Sequence, residues 1–297
     1  MLLLTVVYEG ERDLISDLNE IKQCFKKKNM ILGISESITG STHFIKVFCS
    51  EDEYNDRISN IFNLYMANIL YKIAIYEFYD KEMLNFLNDT YFFLKSDELR
   101  DVEILSMKVL KGEEGIIDDS GVYCMNRKNN IIDKVIKCIE ENNEININGF
   151  ITFRMKELRE DIEAIIDKVV EKYMVEKEYS EFIKLLKYFV EIQESKIDII
   201  NIVIDSKGKY AIKDKDGREF LKEFLNELSS EKISENNIED LIISGLITNS
   251  PRKINIHGAK YCGNKEVLDT ISNVFTDRVN FCSECELCKV PAEKVKI

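Results

Sequence analysis

The sequence contains no tryptophan, only two prolines and only two histidines among its 297 residues. Because proline and glycine are the residues that most often interrupt helices, two prolines and twelve glycines predict long helices. Any histidine-based catalysis would have to use His43 or His257. His43 lies in a predicted strand beside Phe44, where a structural imidazole is the more common case.

Catalytic motifs are missing as well. The sequence has no phosphate-binding loop, no dinucleotide-binding glycine pattern and no zinc-protease motif. Without such a motif the sequence favours a protein that is not an enzyme.

Positive charge and long apolar runs are both scarce. The chain has 41 Lys and Arg against 54 Asp and Glu, a formal net charge of −13, so no broad nucleic-acid binding is expected. The best candidate for a membrane span, Ile61–Tyr79, contains Asn63, Asn68, Lys72 and Glu77, which favours a buried helix and no membrane span. The apolar N-terminus lacks the basic start of a secretion signal. We therefore expect a cytoplasmic protein whose eight cysteines are thiols or metal ligands.

The hydrophobic residues, 45% of the chain, are spaced as in a mixed α+β fold. Their pattern predicts a helix-rich core, a small N-terminal sheet and a C-terminal βαβ unit. Thr39-Gly40-Ser41 is typical of a hairpin turn. The predicted strands and helices of the first half are listed here in chain order: strand Leu2–Tyr8, helix Glu11–Lys27, strands Met30–Ile38 and Thr42–Cys49, and helices between Asp56 and Leu110.

Two longer segments decide the predicted domain organisation. Lys111-Gly112-Glu113-Glu114-Gly115 begins a predicted loop that extends to about Asn130, and we place the domain boundary inside it. Residues 1–125 are then an N-terminal α/β and helical region. Residues 126–297 are a helical segment followed by an α/β module with a Cys-rich tail. Residues 150–195 contain neither glycine nor proline. One helix over this segment would be about 65 Å long, which exceeds a compact domain, so we expect a break near Val175–Glu178. The remaining predicted elements are a hairpin of Ile197–Asp205 with Tyr210–Lys213 and helices Glu219–Leu228 and Ile238–Thr248.

The C-terminal residues combine a strand–helix–strand pattern with a group of cysteines. Lys253–His257 and Arg278–Phe281 are predicted strands, and Lys265–Phe275 is the helix between them. Both strands of a parallel crossover end at the same edge of a sheet. We therefore expect His257 to lie close to Cys282.

Five side chains with nitrogen or sulfur donors are predicted to meet at this edge: Cys262, Cys282, Cys285, Cys288 and His257. The four thiols are the predicted zinc ligands, with His257 as a substitute, because cysteines separated by two residues can both turn toward one ion. An iron–sulfur cluster would use the same thiolates, and redox-active thiols or no site at all are the other readings. The four cysteines without such a grouping are predicted to be small buried residues: Cys24, Cys49, Cys124 and Cys138.

Phe150–Arg159 and Val175–Val190 resemble the central signature of the YtxC family, and Asp277–Cys288 and the strand Ile254–His257 are similar to its ending. The resemblance implies a protein of endospore-forming bacteria that is grouped with sporulation, and it implies no catalytic residues. We thus expect a sporulation-associated cytoplasmic protein with a structural or interaction role, an unknown protein partner and a metal held by its C-terminal cysteines. A thiol-based redox protein or an iron–sulfur protein is the alternative.

Overall fold

The computed structural model describes residues 1–10, 12–52, 54–116, 119–219, 238–283 and 285–289. Contacts group the chain into two compact units, Met1–Met174 and Val175–Ile297. The division between them lies inside a helix, whereas the sequence led us to place the domain boundary near residue 125.

The first unit contains a four-stranded sheet with the strand order β2-β3-β1-β4. β3 pairs antiparallel with β1 and β2, and β4 pairs parallel with β1. Gly40 lies in the two-residue turn between β2 and β3 with a φ of 63°, so the predicted hairpin is confirmed. The strands of this sheet are β1 (Leu2–Glu9), β2 (Leu32–Thr39), β3 (Thr42–Cys49) and β4 (Glu144–Asn146).

Six of the described helices begin in the first unit: α1 (Leu14–Lys26), α2 (Asp56–Phe78), α3 (Leu84–Thr90), α4 (Ser96–Lys111), α5 (Asp119–Glu140) and α6 (Ile147–Ile192). A π-helical turn, Tyr79–Met83, joins α2 to α3. The apolar side chains of α2 are buried on several of its faces, as expected for a core helix. Among the described helices, none has both the length and the apolarity needed to cross a bilayer.

Two predictions about helix boundaries are wrong. α5 begins at Asp119, so the predicted loop does not extend to Asn130. Gly112 ends α4 in the left-handed conformation, which is a common helix stop, while Gly121 falls in the first turn of α5. α6 continues through the break expected near Val175–Glu178, because no glycine or proline interrupts its backbone hydrogen bonds there. The division between the two compact units nevertheless falls at that point of the helix.

The second unit contains a mixed sheet with the strand order β6-β5-β7-β8. β5 forms an antiparallel hairpin with β6, and β7 lies parallel to both β5 and β8. The predicted βαβ unit and the mixed α+β class are thereby confirmed, while the predicted helix Glu219–Leu228 falls almost entirely outside the described residues. The elements are β5 (Ile199–Ile204), β6 (Tyr210–Lys213), α7 (Ile238–Asn249), β7 (Lys253–His257), α8 (Lys265–Phe275), β8 (Val279–Cys282) and α9 (Glu286–Lys289).

Alternate residues of β5 and β7 separate an apolar face of this sheet from a polar one. Ile200 and Ile202 of β5 and Ile254 and Ile256 of β7 are buried in a cluster with the apolar side of α8. Because side chains alternate along a strand, the residues between them lie on the opposite face. That opposite face includes His257, at the end of β7.

In the first unit, one buried carboxylate joins α5 to α6. Asp161 is 3% exposed and accepts hydrogen bonds from Arg127 Nη1 at 2.9 Å and Lys134 Nζ at 2.6 Å. Burial raises the pKa of Asp161, but the hydrogen bonds and charges of Lys134 and Arg127 outweigh it and hold this pKa below its ordinary value. Asp161 therefore contributes stability above a pH of about 4, and this contribution is lost as the pH falls toward its folded pKa.

We expect Asp161→Ala to lower the free energy of unfolding of the first unit by about 2–3 kcal/mol. This is less than the loss typical of a fully buried pair, because both cations are more than a third exposed and rehydrate. Urea unfolding gives the value, with Asp133→Ala as the control, because Asp133 is an exposed aspartate of α5, the helix that carries Arg127 and Lys134. Between pH 5 and pH 3, stability should fall more steeply in the wild type than in Asp161→Asn, and equal slopes would contradict the assignment.

Candidate metal centre

The strand register places His257 directly beside Cys282. These residues are the last of β7 and β8, and they are paired in the parallel ladder between the two strands. The arrangement arises because α8 carries the chain back to the edge at which β7 begins, so that β8 runs parallel to β7 and ends at the same edge. The adjacency predicted from the crossover is thus confirmed.

After β8 the chain turns back toward this edge through the tail, residues 285–289. The backbone N–H of Cys288 donates to the carbonyl oxygen of Cys285 at 3.1 Å, which places Cys288 one turn beyond Cys285. The two sulfurs are 3.7 Å apart, and the Cys288 thiol also donates to the carbonyl oxygen of Cys282 at 3.3 Å. The Cys-x-x-Cys spacing therefore directs both thiols to the same side.

The imidazole of His257 completes the group. Its Nδ1 lies 3.2 Å from Sγ of Cys285 and 3.5 Å from Sγ of Cys288. One donor atom from each of His257, Cys282, Cys285 and Cys288 lies within 4.8 Å of all the others. His257 is buried, and the three cysteines are half-buried. This cluster could bind a metal ion.

Cys262, a predicted ligand, is not part of this cluster. It follows β7 and a short 3-10 turn, and its thiol donates to the carbonyl oxygen of Asn264 at 3.0 Å. Its sulfur also lies 3.1 Å from the hydroxyl of Tyr210, which donates to Glu239. The side chain is buried with the apolar core of the second unit, so His257 takes the position in the group that the sequence had led us to give to Cys262.

The other cysteines lie in the first unit, where Cys49 and Cys124 are buried and Cys24 and Cys138 are half-buried. None of the eight cysteines, all of which belong to the described part of the chain, forms a disulfide.

The electrostatic surroundings affect the two kinds of donor differently. Burial, together with the charge of Lys213, lowers the pKa of His257, which favours the neutral imidazole that a metal requires. Burial and the hydrogen bond with Cys285 raise the pKa of Cys288, so without a cation this sulfur favours the thiol form. A bound cation would favour the thiolate instead.

Three asparagines on the polar face of the sheet were missed by the sequence analysis. Asn201, Asn255 and Asn280 are in register on β5, β7 and β8. Each lies two residues before one of the three residues that pair across the strands, Val203, His257 and Cys282. The sequence shows this as three similar segments, Ile-Asn-Ile-Val, Ile-Asn-Ile-His and Val-Asn-Phe-Cys. Since side chains two apart share a face, this repeat is the signal that could have identified them.

The asparagines form a continuous row of hydrogen bonds that reaches the imidazole. Asn280 Nδ2 donates to Asn255 Oδ1 at 3.4 Å, and Asn255 Nδ2 donates to Asn201 Oδ1 at 3.0 Å. Nε2 of His257 lies 3.2 Å from the same Asn201 oxygen. Of the four residues in the cluster, His257 is therefore the one shown hydrogen-bonded to this row of asparagines.

Comparison with known proteins gives a family but no activity. Over 141 residues, 48% of this chain, the sequence is 27% identical to the uncharacterized protein YtxC of Bacillus subtilis (strain 168), and the aligned part spans about half the length of that relative. No solved structure matches. The model of the YtxC-like family matches residues 64–280 and ends two residues before Cys282. Since this match covers most of both units, the chain belongs to the YtxC-like family.

Proposed function

We propose that His257, Cys282, Cys285 and Cys288 hold one structural zinc ion, and that the protein has a structural or interaction role. The observation that carries the proposal is the convergence of the four donor atoms within 4.8 Å of one another. Three thiolates and one imidazole are a common donor set of structural zinc sites.

The separations between donor atoms agree with tetrahedral coordination. Zinc bonds of about 2.3 Å to sulfur and about 2.05 Å to nitrogen imply roughly 3.8 Å between two sulfurs and roughly 3.6 Å between sulfur and nitrogen. The corresponding distances here are 3.7 Å between the sulfurs of Cys285 and Cys288, and 3.2 and 3.5 Å from these sulfurs to His257 Nδ1. A single ion therefore fits these three donors with small adjustments, and the donor atom of Cys282 lies within 4.8 Å of each of them.

The donor count favours a structural role over a catalytic one. Catalytic zinc sites use three protein ligands and keep a fourth position for water or substrate, whereas this group offers four. An iron–sulfur cluster is disfavoured, because its four ligands are divided among two or four irons, so that at least some of them must lie further apart than ligands around one ion.

The zinc ion would order a tail that cannot order itself. α9 has only four residues, far fewer than an isolated helix needs to be stable in water. Coordination by Cys285 and Cys288 would fasten this segment to the ends of β7 and β8, since ligand binding and local folding are coupled in small zinc sites. The need for reduced thiolates supports a cytoplasmic location.

An interaction role is supported by exposed aromatic side chains in the first unit. Phe92 and Phe93 expose 81% and 58% of their surface and their ring centroids are 5.9 Å apart, and adjacent exposed aromatic side chains are typical of surfaces that contact another protein. We place this interaction in sporulating cells, on the basis of the resemblance to the YtxC family. The partner is a protein that these residues would contact.

Metal analysis tests the zinc proposal directly. Protein purified without a histidine tag should contain about one zinc per chain after dialysis, because four protein ligands bind zinc tightly. Less than about 0.2 zinc or iron per chain in a fully reduced preparation would overturn the metal site.

Two further measurements separate the alternatives. A coloured preparation that contains iron and acid-labile sulfide would show that the site holds an iron–sulfur cluster and not zinc. Rapid alkylation of a single cysteine at pH 6 in metal-replete protein would favour redox-active thiols, whereas a bound zinc ion should protect Cys282, Cys285 and Cys288 together.

A further inference from the structure

The row of asparagines ends at the imidazole nitrogen that faces away from the sulfurs. Resting on the proposed metal site, we infer that Asn201 is the positioning residue that fixes the tautomer of His257 and thereby assigns Nδ1 as the metal-binding nitrogen. The inference follows from which atoms in this row can donate a hydrogen bond and which can only accept one.

The orientation of the Asn201 amide is set by a backbone carbonyl. Its side-chain nitrogen lies 2.8 Å from the carbonyl oxygen of Asp214. A carbonyl oxygen can only accept, so the atom of Asn201 that faces it must be the NH₂ group. The amide oxygen of Asn201 then necessarily points the other way, toward Asn255 and His257.

The amide oxygen in turn fixes the proton on the imidazole. Oδ1 of Asn201 lies 3.2 Å from Nε2 of His257 and carries no hydrogen, so Nε2 must be the donor. In a neutral imidazole only one nitrogen carries hydrogen, which leaves the lone pair on Nδ1. Nδ1 is the nitrogen that lies 3.2 and 3.5 Å from the sulfurs of Cys285 and Cys288.

Asn201 is held too firmly to exchange its two amide atoms. It is 7% exposed, and its oxygen also accepts from Asn255 Nδ2 at 3.0 Å. The carbonyl of Asp214 is fixed by a tight turn, in which the Asp214 carboxylate accepts from the backbone N–H groups of Asp216 and Arg218, each at 2.9 Å. Reversing the amide would place its oxygen against the Asp214 carbonyl oxygen and its nitrogen against the NH₂ group of Asn255.

The effect on metal affinity follows from this tautomer. If Nδ1 carried the proton, it would have to lose that proton or the ring would have to turn before it could bind a cation. Residues that orient a metal-binding histidine in this way typically contribute a factor of about 10–100 to metal affinity. Asn201 belongs to this class of residue, although it touches no metal itself.

Nuclear magnetic resonance can read the tautomer without any metal. The chain has only two histidines, so a His43→Gln variant leaves His257 as the only imidazole. Two-bond correlations between ring nitrogens and ring hydrogens in the metal-free protein should show hydrogen on Nε2. His43 lies in the first unit, so this variant changes no residue of the second. Hydrogen on Nδ1 would overturn the inference, whether or not the protein binds zinc.

Zinc affinity supplies the second readout. Asn201→Ala should weaken zinc binding by about 10–100-fold in chelator competition and give a mixture of both tautomers in the His43→Gln background. Asn249→Ala is the matched control, because Asn249 is also buried in the second unit but bonds to the carbonyl oxygen of Gly245 instead. The control should change zinc affinity less than threefold.

The outcomes separate the inference from the proposed metal site. Zinc bound by the wild type and bound equally well by Asn201→Ala, with one unchanged tautomer, would overturn the role of Asn201 and leave the metal site intact. A wild type that binds no zinc but carries hydrogen on Nε2 would overturn the metal site and support the positioning of His257. If Asn201→Ala does not fold, the tautomer of His257 in the His43→Gln protein with Asn201 intact still tests the inference.

Discussion

Replacing Cys285 and Cys288 together by serine should weaken zinc binding by at least about 1,000-fold and release the tail from the sheet edge. The two residues supply half of the four donors, and structural zinc sites bind with roughly 10–16 kcal/mol in total, so losing two thiolates costs several tenfold steps of about 1.4 kcal/mol each. Chelator competition measures the affinity. Hydrogen exchange of a peptide covering residues 279–289 measures the release.

The tail should lose its protection because little else holds it. The tail, residues 285–289, is fastened by a hydrogen bond from the Cys288 thiol to the Cys282 carbonyl oxygen and by contacts of the Cys285 and Cys288 sulfurs with His257. A chelator added to the wild type should give the same exchange as the double variant. In both cases, exchange in the first unit should stay unchanged.

The control is Cys138→Ser, which alters a half-buried cysteine of the first unit. It should leave both zinc content and the exchange of residues 279–289 at the wild-type level. Equal zinc content in the double variant and the wild type would show that these two thiols do not bind the metal.

The second large effect is expected from Gly258→Ala, directly after His257. Gly258 has a φ of 72°, and a Cβ atom built on it would lie 2.2 Å from the carbonyl oxygen of Ile204. The left-handed conformation costs a residue with a Cβ about 1–2 kcal/mol, and forcing β5 and β7 apart adds about 1–3 kcal/mol. We expect the second unit to lose about 2–5 kcal/mol of unfolding free energy in urea titrations.

Gly217→Ala separates the contact from the backbone conformation. Gly217 also has a positive φ, 80°, but a Cβ atom there would meet nothing within 4 Å. It should therefore show only the conformational cost of about 1–2 kcal/mol. If the two variants lost the same stability, the close approach of Gly258 to Ile204 would not be a constraint on the fold. Gly258→Ala should also weaken zinc binding, since its neighbour His257 would move with the end of β7.

Much of the second unit could be predicted from the order of its elements. Lys253–His257 and Lys265–Phe275 have the predicted bounds, and β8 differs from its prediction by one residue at each end. Two short strands with a helix of this length between them are usually connected as a parallel crossover. In a parallel crossover both strands end at the same edge of the sheet. The neighbouring positions of His257 and Cys282 followed from that topology.

The division of α6 could not be predicted in the same way. The sequence contains no residue that would end the helix near Val175, and none does end it. The expected break came from an argument about compactness, but compactness concerns contacts between elements and not backbone continuity. The two compact units accordingly divide at Met174 within an unbroken helix.

The sequence by itself determined the strand–helix–strand unit, the mixed fold class and the cysteine spacing that turns two thiols to one side, because all of these depend on local periodicity and on short connections. Only the tertiary structure decided that His257, rather than Cys262, joins Cys282, Cys285 and Cys288. It also decided the row of asparagines behind the imidazole. The reason is physical: which side chains face one another across strands depends on register and on packing, and these are fixed by residues far apart in the chain.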